Sequence, residues 1–346
     1  MKVTIQSKGE QYEFEADGSK TVLFDGLGHG VALPYACASG TCGTCKAGVL
    51  VGSVSDLWPN APGKKAFKDP NQILLCQCLP RGDCVLTVSN SVAMTPPEAL
   101  LPFTLDARVS SWQLLTHDVA SWELELYEPM AYRAGQFVLV RFPDVEGARA
   151  YSIVNYEPGS RRLELLLKKK PGGGLSEVLF AANPIGNQVQ VTGPLGAAVF
   201  KPEAAQDVLC IAGGSGVAGM ISILEQARDI HYFPRMNGYL FFGVRSARDV
   251  FFLGRLALLA NSASGALKIT ICLSDGPVPD DLRERYPELL FAQGFVHEVA
   301  LDQMIGRLGN VHAFLAGPPP AVDAAMRGLM LKGKLNPQSI SFDKFS

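Results

Sequence analysis

The sequence predicts a three-domain chain that combines α+β and α/β architecture. Three observations predict it. Five cysteines crowd residues 37–78 of a strand-like N-terminal segment, short strands with a single helix fill 103–202, and strands alternate with helices from 203 onward. A chain of 346 residues is long enough for two or three domains. We therefore place domains at 1–92, 103–202 and 203–346, with the proline-containing residues 93–102 as a linker.

Composition and charge exclude several functional classes. The formal net charge is −2, which is not typical of a nucleic-acid binder. No apolar run reaches the roughly 18 residues of a membrane span, and the opening "MKVTIQSKGEQYEFEADG" lacks the apolar segment of a secretory signal. We expect a cytoplasmic protein, in which cysteines are more often ligands or free thiols than disulfides.

The first domain carries its chemistry in cysteines. Its strands open with "KVTIQ" and "YEFEA" and close with "DCVLTVS". Between them the spacing is Cys37-x4-Cys42-x2-Cys45, with Cys76 after a further 30 residues, which is the plant-type [2Fe–2S] spacing. A structural zinc site usually has two C-x2-C knuckles, and this segment has one. We rank an iron–sulfur cluster first, then zinc, then a redox dithiol.

Glycines and a resemblance support the cluster interpretation. Gly40 and Gly43 allow one loop to wrap closely around a small cluster and to point its amides at the sulfurs. The stretch "VALPYACASGTCGTCKAGVLVG" resembles the cluster loop of ferredoxin domains in bacterial oxygenase reductases, and "LLCQC" resembles the segment that supplies the fourth ligand. The resemblance implies Cys76 as that ligand, with Cys78 as the alternative.

The second domain reads as an antiparallel barrel. Its strands are "TLDARVSSWQLL", "SWELELYE", "GQFVLVRF", "RRLELLLKKK" and "NQVQVTGP", and "SEVLFAAN" is a helix. Together with "RAYS" and "PGGGLSEVLF", they resemble the FAD-binding barrel of the ferredoxin-NADP reductase superfamily. An arginine binds a pyrophosphate bidentately, and glycines before a helix expose N–H groups to phosphate. The resemblance therefore implies FAD-phosphate contacts from Arg149, Gly173, Gly174, Leu175 and Ser176.

The same resemblance assigns residues around the flavin ring. Tyr151 packs on the isoalloxazine face, Ser152 hydrogen-bonds near its N5 atom, and Ile153 follows them in the site. Lys168 aligns with a basic position near the flavin phosphate, although a solvated strand end is the plain alternative. In "SISFDKFS", Phe345 is the aromatic expected to cover the flavin, with Phe342 as the alternative. We count Tyr151, Ser152 and Phe345 as the catalytic set.

The third domain reads as a doubly wound α/β sheet. Its strands "DVLCIAGG", "GYLFFG", "LKITICLS" and "VHAFLAG" alternate with helical segments such as "AGMISILEQARD". After the first strand, Gly213, Gly214, Ser215 and Gly216 form a glycine-rich turn. Gly214-x-Gly216-x-x-Gly219 satisfies the dinucleotide fingerprint, without an obvious acidic residue at the next strand end. The turn resembles the reductase pattern "GGTGxAP", with Ser for Thr and Gly219 for Pro, a change that loosens the helix start.

Later segments of this domain complete the nucleotide site. "FFGVRSARD" supplies Arg245, and "AGPPPAVDAAM" supplies Gly317 and Pro318 where the family has "CGPPxM". Asp275 in "LSDG" would repel a 2′-phosphate and accept from a ribose hydroxyl, which favours NADH. A plain turn role for Asp275 and phosphate binding by Arg245 or Arg248 stay open.

The resemblance extends over the whole chain, to reductase components of bacterial multicomponent oxygenases. It implies a β-grasp plant-type ferredoxin domain, an FAD-binding β-barrel and a Rossmann-like NAD(H)-binding domain. Electrons would pass from NADH to FAD, to [2Fe–2S] and on to a terminal oxygenase, a hydroxylase or an intermediary ferredoxin. The alternatives are a self-contained reductase of the deoxysugar type and a zinc-binding or redox-sensing protein. Expected partner contacts near the cluster are Leu33, Tyr35, Ala38 and Ser39.

Overall fold

The described residues form three large sheets, one for each predicted domain, and a two-stranded sheet in the first domain. The computed structural model describes residues 1–143, 145 and 147–344. In the first domain the elements are β1 (Lys2–Ser7), β2 (Glu10–Glu15), α1 (Val22–Gly28), β3 (Lys46–Val51), β4 (Val54–Asp56), β5 (Gln72–Leu74), β6 (Cys78–Pro80) and β7 (Cys84–Thr87). The described part holds a mixed sheet in the order β2–β1–β7–β3–β5, in which β1 and β7 are parallel. Buried Val3, Ile5 and Leu86 form its core with α1.

The second domain is a closed antiparallel barrel. Its elements are β8 (Phe103–Leu114), β9 (Val119–Met130), β10 (Phe137–Arg141), β11 (Arg149–Ser152), β12 (Ser160–Lys168), α2 (Gly174–Ala181) and β13 (Gln188–Leu195). Over the described residues the strand order is β11–β10–β13–β8–β9–β12. The two edges meet at a bridge between Ile153 and Leu165, so the sheet closes on itself. Trp122, Leu124 and Leu163 fill the interior.

The third domain is a parallel sheet with helices on both faces. Its elements are β14 (Asp207–Gly213), α3 (Val217–Asp229), β15 (Gly238–Val244), α4 (Leu253–Ser262), β16 (Leu267–Leu273), α5 (Asp280–Arg285), β17 (Leu290–Gln293), α6 (Val296–Met304), β18 (Val311–Gly317), α7 (Pro319–Arg327) and β19 (Ile340–Lys344). Among the residues described, the order is β17–β16–β15–β14–β18–β19. Helices α3 and α4 share one core, and α6 and α7 share the other. The strand order reverses next to β14, which places a ligand crevice at that strand's carboxyl end.

Short turns of 3-10 or π helix connect these elements. They are Pro62–Ala66, Leu75–Gln77, Pro202–Ala204, Gly214–Gly216, Ala247–Asp249, Gly328–Lys332 and Pro337–Ser339. In the part of the chain that the structure describes, no helix has both the length and the apolar character needed to cross a membrane.

The hydrophobic cores continue across the domain boundaries. The core of the first domain includes Phe137, Leu139 and Leu195 of the barrel. The core around α3 and α4 likewise includes Val119 and Leu166 of the barrel. The barrel therefore packs against both neighbours through buried apolar contacts, and the predicted fold class is confirmed.

Candidate functional site

The four predicted cluster cysteines lie in the structure as two pairs. Cys45 Sγ is 3.3 Å from Cys76 Sγ. Cys42 donates its backbone N–H to Cys37 Sγ at 3.4 Å, and the two side chains also hydrogen-bond each other. Two irons that share four thiolates take two thiolates each. The residues present therefore fit a [2Fe–2S] cluster.

Within each pair, one sulfur is prepared to be a thiolate. The hydrogen bond from Cys42 lowers the pKa of Cys37 to about 4, and the pKa of Cys42 is raised by the same bond and by burial. The hydrogen bond with Cys76 likewise lowers the pKa of Cys45 and raises that of Cys76. A thiolate is the form that binds iron. In each pair the hydrogen bond thus favours the thiolate form of one sulfur.

The cluster loop also presents backbone N–H groups to the sulfurs. Ser39 N donates to Cys37 Sγ at 3.5 Å, and Thr44 N donates to Cys42 Sγ at 3.4 Å. Gly40 and Gly43 adopt φ of +87° and +76°, a region that other residues rarely enter. This agrees with the role expected for the two glycines. N–H groups aimed at the sulfurs stabilise the negative charge that a bound cluster carries.

The alternative fourth ligand, Cys78, lies apart from the pairs. It is fully buried in β6, opposite Asp56 of β4. Burial raises the pKa of Cys78 to about 12, so this thiol keeps its proton. Cys76 faces Cys45 directly and receives a hydrogen bond from Gln77 Nε2 at 3.7 Å. The geometry therefore favours Cys76.

The motifs did not reveal that a second segment closes over the cluster loop. Gly63 donates its backbone N–H to Gly40 O at 2.9 Å. A Cβ atom built on Gly63 would lie 2.7 Å from Gly43 N and 2.9 Å from Gly40 O. Only glycine fits this position without a shift in the loop. The one available signal was a glycine within the turn-rich "WPNAPGKK".

Strand β11 carries the predicted flavin residues. Tyr151 is buried in the barrel, with its ring edge-on to Trp122 at 5.2 Å, and burial raises its pKa. Its phenol is therefore protonated at neutral pH. Ser152 is 8% exposed, and Ile153 forms the bridge that closes the barrel. Arg149 begins the strand and donates to Ala148 O at 3.2 Å.

The predicted phosphate segment begins helix α2. Gly173 precedes the helix, and Gly174, Leu175 and Ser176 form its first turn. Ser176 Oγ accepts from Lys170 N at 3.0 Å, which fixes the preceding loop against the helix. The glycines and the helix N-terminus fit a bound phosphate. Arg149 has the guanidinium that binds a pyrophosphate, and its place beside this helix in the FAD site stays a prediction.

Lys168 lies at the end of β12, where it forms an ion pair with Asp118 at 3.1 Å. Its side chain is half exposed. Its role near the flavin phosphate stays a prediction, because the described contact is to this carboxylate.

The two nucleotide segments of the third domain pack tightly against each other. Residues 213–216 run from the last residue of β14 into α3, and residues 316–318 span the end of β18. A Cβ atom built on Gly216 would lie 2.6 Å from both the carbonyl carbon and the carbonyl oxygen of Ala316. One built on Gly213 would lie 3.3 Å from Pro318 Cδ. The turn needs glycine for this packing, and the arrangement leaves the N-terminus of α3 at the crevice where a dinucleotide phosphate binds.

The two residues predicted to set coenzyme preference are neighbours. Asp275 donates its backbone N–H to Arg245 O at 2.7 Å, and the two follow the adjacent parallel strands β16 and β15. A positive and a negative side chain therefore share one edge of the sheet. Asp249 caps the turn after Arg245 by accepting from Ser246 N and Oγ.

The C-terminal segment forms the edge strand β19 beside β18. Phe342 is 41% exposed, with Lys344 Nζ 4.9 Å from its ring centroid. Lys344 also pairs with Asp323 at 2.7 Å. Phe345, the predicted flavin cover, lies outside the described residues.

Strand β11 contacts both of the other domains. Ala150 and the adjacent Ala148 pack against the core of the first domain. At the other end of the strand, a Cβ atom built on Gly219 of α3 would lie 3.7 Å from Ser152 Cβ. Helix α3 runs through Gly219 without a break, and a Cβ atom at this position would make only ordinary van der Waals contact. Strand β11, which carries the predicted flavin residues and which we call the flavin strand, thus contacts both the first domain and helix α3.

The partner contacts predicted near the cluster are wrong for three residues. Leu33, Ala38 and Ser39 are all less than 9% exposed. The Tyr35 hydroxyl accepts from Gly196 N of the barrel at 3.0 Å, so it serves contact between domains. The inner side of the loop faces its own domain, which the loop sequence alone does not reveal.

The fold and these sites define an iron–sulfur flavoprotein oxidoreductase with a nicotinamide site. Residues 5–81 match the family described as 2Fe-2S iron-sulfur cluster binding domain. Residues 106–200 match Oxidoreductase FAD-binding domain, and 210–327 match Oxidoreductase NAD-binding domain. The limits that we set between the domains stay predictions.

Comparison with known proteins names the family. The alkene monooxygenase ferredoxin–NAD(+) reductase component of Xanthobacter autotrophicus (strain ATCC BAA-1158 / Py2) is 33% identical, over 96% of this chain and 97% of that protein. The structure of the ferredoxin reductase in carbazole 1,9a-dioxygenase superposes with a TM-score of 0.83 at 30% identity, over 100% and 99% of the two chains. That of an Amycolatopsis cytochrome P450 reductase gives 0.81 at 28%, over 99% and 98%. The chain belongs to the family of ferredoxin–NAD(P)+ reductase components of oxygenase systems, and the resemblance inferred from its sequence is confirmed.

Proposed function

We propose that this protein oxidises NADH and passes the electrons through FAD and [2Fe–2S] to a terminal oxygenase or hydroxylase, or to its intermediary ferredoxin. The oxygenase would act on aromatic or hydrocarbon substrates. The bound groups supply the conversion of a two-electron hydride into single electrons. The eight free cysteines suit a reducing cytoplasm.

One observation carries this proposal, which is the position of β11 between the other two domains. The strand packs against the first domain through Ala150, and it meets the nucleotide helix α3 at Ser152. A flavin held by β11 and α2 is therefore adjacent to both the nicotinamide site and the cluster domain. The chain's own role is to hold these sites in that order and to exclude water between them through its shared cores.

The outward face of the cluster loop is the proposed exit for electrons. Cys42 and Thr44 are exposed, whereas the other three cluster cysteines are buried. Since electron transfer requires close approach, a partner that covers Cys42 meets the cluster at its nearest point to solvent. This replaces the buried contacts that the sequence predicted.

Coenzyme preference for NADH is also part of the proposal. The Asp275 carboxylate lies at the sheet edge where the ribose of a dinucleotide binds in doubly wound sheets. A carboxylate accepts from a 2′-hydroxyl and repels a 2′-phosphate. Arg245 lies beside it, which makes this pair the feature to vary when coenzyme preference is measured.

The test is reconstitution of purified protein with the oxygenase encoded beside it. We expect flavin and iron–sulfur absorbance, NADH-dependent ferricyanide reduction, and NADH-dependent hydroxylated product only when the oxygenase is present. A Cys42→Ser variant should keep ferricyanide reduction through the flavin and lose product formation. A colourless protein that contains zinc, or product formation that does not respond to Cys42→Ser, would contradict the proposal.

A further inference from the structure

A three-residue ion network joins the barrel to the nucleotide domain. Arg255 of α4 donates from Nη1 to Glu164 Oε2 of β12 at 2.7 Å. Its Nε and Nη2 donate to Glu225 Oε1 of α3, at 2.9 and 2.6 Å. One guanidinium thus connects a barrel strand to helix α3. This helix follows the glycine-rich turn at residues 213–216, which we call the nucleotide turn. The three residues are 30 and 91 positions apart along the chain, and no motif contains them.

The network is mostly buried, and each carboxylate oxygen has a donor. The side chains of Arg255, Glu164 and Glu225 are 24%, 10% and 12% exposed. Ser121 Oγ donates to Glu164 Oε1 at 3.0 Å, and Tyr156 N donates to Glu225 Oε2 at 3.1 Å. A buried, fully hydrogen-bonded ion network has one preferred geometry, because each displaced group loses a partner that water does not replace.

The face of α3 that carries this network also touches the flavin strand and the segment after it. Gly219, Ser222 and Glu225 recur every three residues along one side of the helix. Ser222 Oγ donates to Asn155 O at 3.3 Å, and Glu225 holds the N–H of Tyr156. Gly219 lies against Ser152, as described above. The helix is therefore fixed along its length against residues 152–156, and Arg255 closes the end farthest from the nucleotide turn.

We propose that Arg255 is a positioning residue for hydride transfer, because it fixes the nucleotide turn relative to the flavin strand. Its guanidinium hydrogen-bonds to Glu225 on helix α3 and to Glu164 on the barrel, neither of which is a predicted flavin or nucleotide residue, and it acts through these two carboxylates. The donor–acceptor distance in hydride transfer depends on how the two domains meet. A misplacement of about 1 Å lowers such rates by about a hundredfold. The inference rests on the proposed NADH oxidation.

Arginine suits this place because its planar fork binds two carboxylates at once. A lysine keeps the positive charge but offers a single ammonium group, so it satisfies the two glutamates less well. Arg255→Lys thus changes geometry while it keeps the charge balance. Arg255→Gln leaves two buried carboxylates without a cation between them, and their repulsion separates α3 from β12.

Anaerobic stopped-flow reduction of the flavin by NADH tests the proposal. We expect the limiting rate at saturating NADH to fall about tenfold in Arg255→Lys and about a hundredfold in Arg255→Gln. The dissociation constant for NADH should change less than about threefold, since the nucleotide turn itself is intact. The primary isotope effect with 4-deuterated NADH should rise as the hydride step becomes slower. Electron transfer from reduced flavin to the cluster should be unchanged, because the network does not touch the first domain.

Arg162→Lys is the matched control. Arg162 also binds two carboxylates, Glu123 at 2.5 Å and Glu157 at 2.7 Å, but all three lie within the barrel. We expect wild-type hydride transfer from this variant. A wild-type rate in Arg255→Lys, an effect on NADH affinity alone, or an equal loss in Arg162→Lys would each overturn the inference. If Arg255→Gln fails to fold, the lysine variant still decides. A wild-type flavin that NADH does not reduce would instead refute the proposed function.

Discussion

Substituting alanine for Gly63 tests whether residues 61–66 hold the cluster loop in place. The added Cβ atom would lie 2.7 Å from Gly43 N and 2.9 Å from Gly40 O, and both are backbone atoms. Since Gly40 and Gly43 already adopt positive φ, the loop has little freedom to move away. Overpacking of this kind costs about 1–3 kcal/mol. A middle value of about 2 kcal/mol changes the folding equilibrium about thirtyfold.

The cluster's own absorbance reports this change. For a domain of this size, 1 kcal/mol shifts the thermal midpoint by about 4–8 °C. We expect the temperature at which half of the iron–sulfur absorbance is lost to fall by about 10 °C in Gly63→Ala. Gly82→Ala is the control, because a Cβ atom there meets no atom within 4 Å. Equal midpoints for Gly63→Ala and the wild type would refute the reasoning that this glycine is required by contact with the loop.

Three further predictions concern ligands, coenzyme and pH. Cys76→Ser should lose most of the cluster's visible absorbance while Cys78→Ser keeps it, because only Cys76 faces another cluster sulfur; the reverse result would assign the ligand to Cys78. Asp275→Ser should raise the ratio of NADPH to NADH in kcat/KM about tenfold, since about 1.4 kcal/mol of repulsion is removed; an unchanged ratio would mean that Asp275 is a plain turn residue. Burial raises the pKa of Asp343 from 3.8 to about 7, so the folded protein favours the protonated carboxyl. The resulting contribution to the free energy of unfolding is complete below about pH 4 and is lost as pH rises to 7. The thermal midpoint of the nucleotide domain should therefore fall less between pH 5.5 and 7 in Asp343→Asn than in the wild type, and parallel profiles would contradict the shift.

Sequence reasoning succeeded where chemistry is encoded over short distances. The spacing of Cys37, Cys42 and Cys45 is that of a loop that can bind one cluster. Alternating and helical periodicity predicted the barrel and the doubly wound sheet. It failed where a residue's surroundings come from elsewhere in the chain. Leu33 lies beside the cluster loop in sequence, yet it is buried in its own domain.

Long-range partners were missed for the same reason. Nothing near Gly63 in sequence indicates that it meets Gly40, and nothing near Arg255 indicates Glu164, 91 positions away. Each residue type is common in turns or on helices, so its role depends on tertiary packing alone. The choice of fourth ligand lies between these two cases. The sequence identifies both Cys76 and Cys78, which are two positions apart, but only the fold shows which of them faces Cys45.

The continuity of the cores limits how such proteins can recombine. Because Phe137, Leu139 and Leu195 belong to the barrel in sequence and to the first domain's core in packing, a crossover in residues 93–102 separates side chains that pack together. A first domain transferred to another protein would meet a barrel whose apolar surface fits a different domain. Part of the first domain's own apolar surface would then be exposed to water. Successful hybrids should therefore inherit the first domain together with β10 and β13, so the part that is exchanged must extend beyond the first domain.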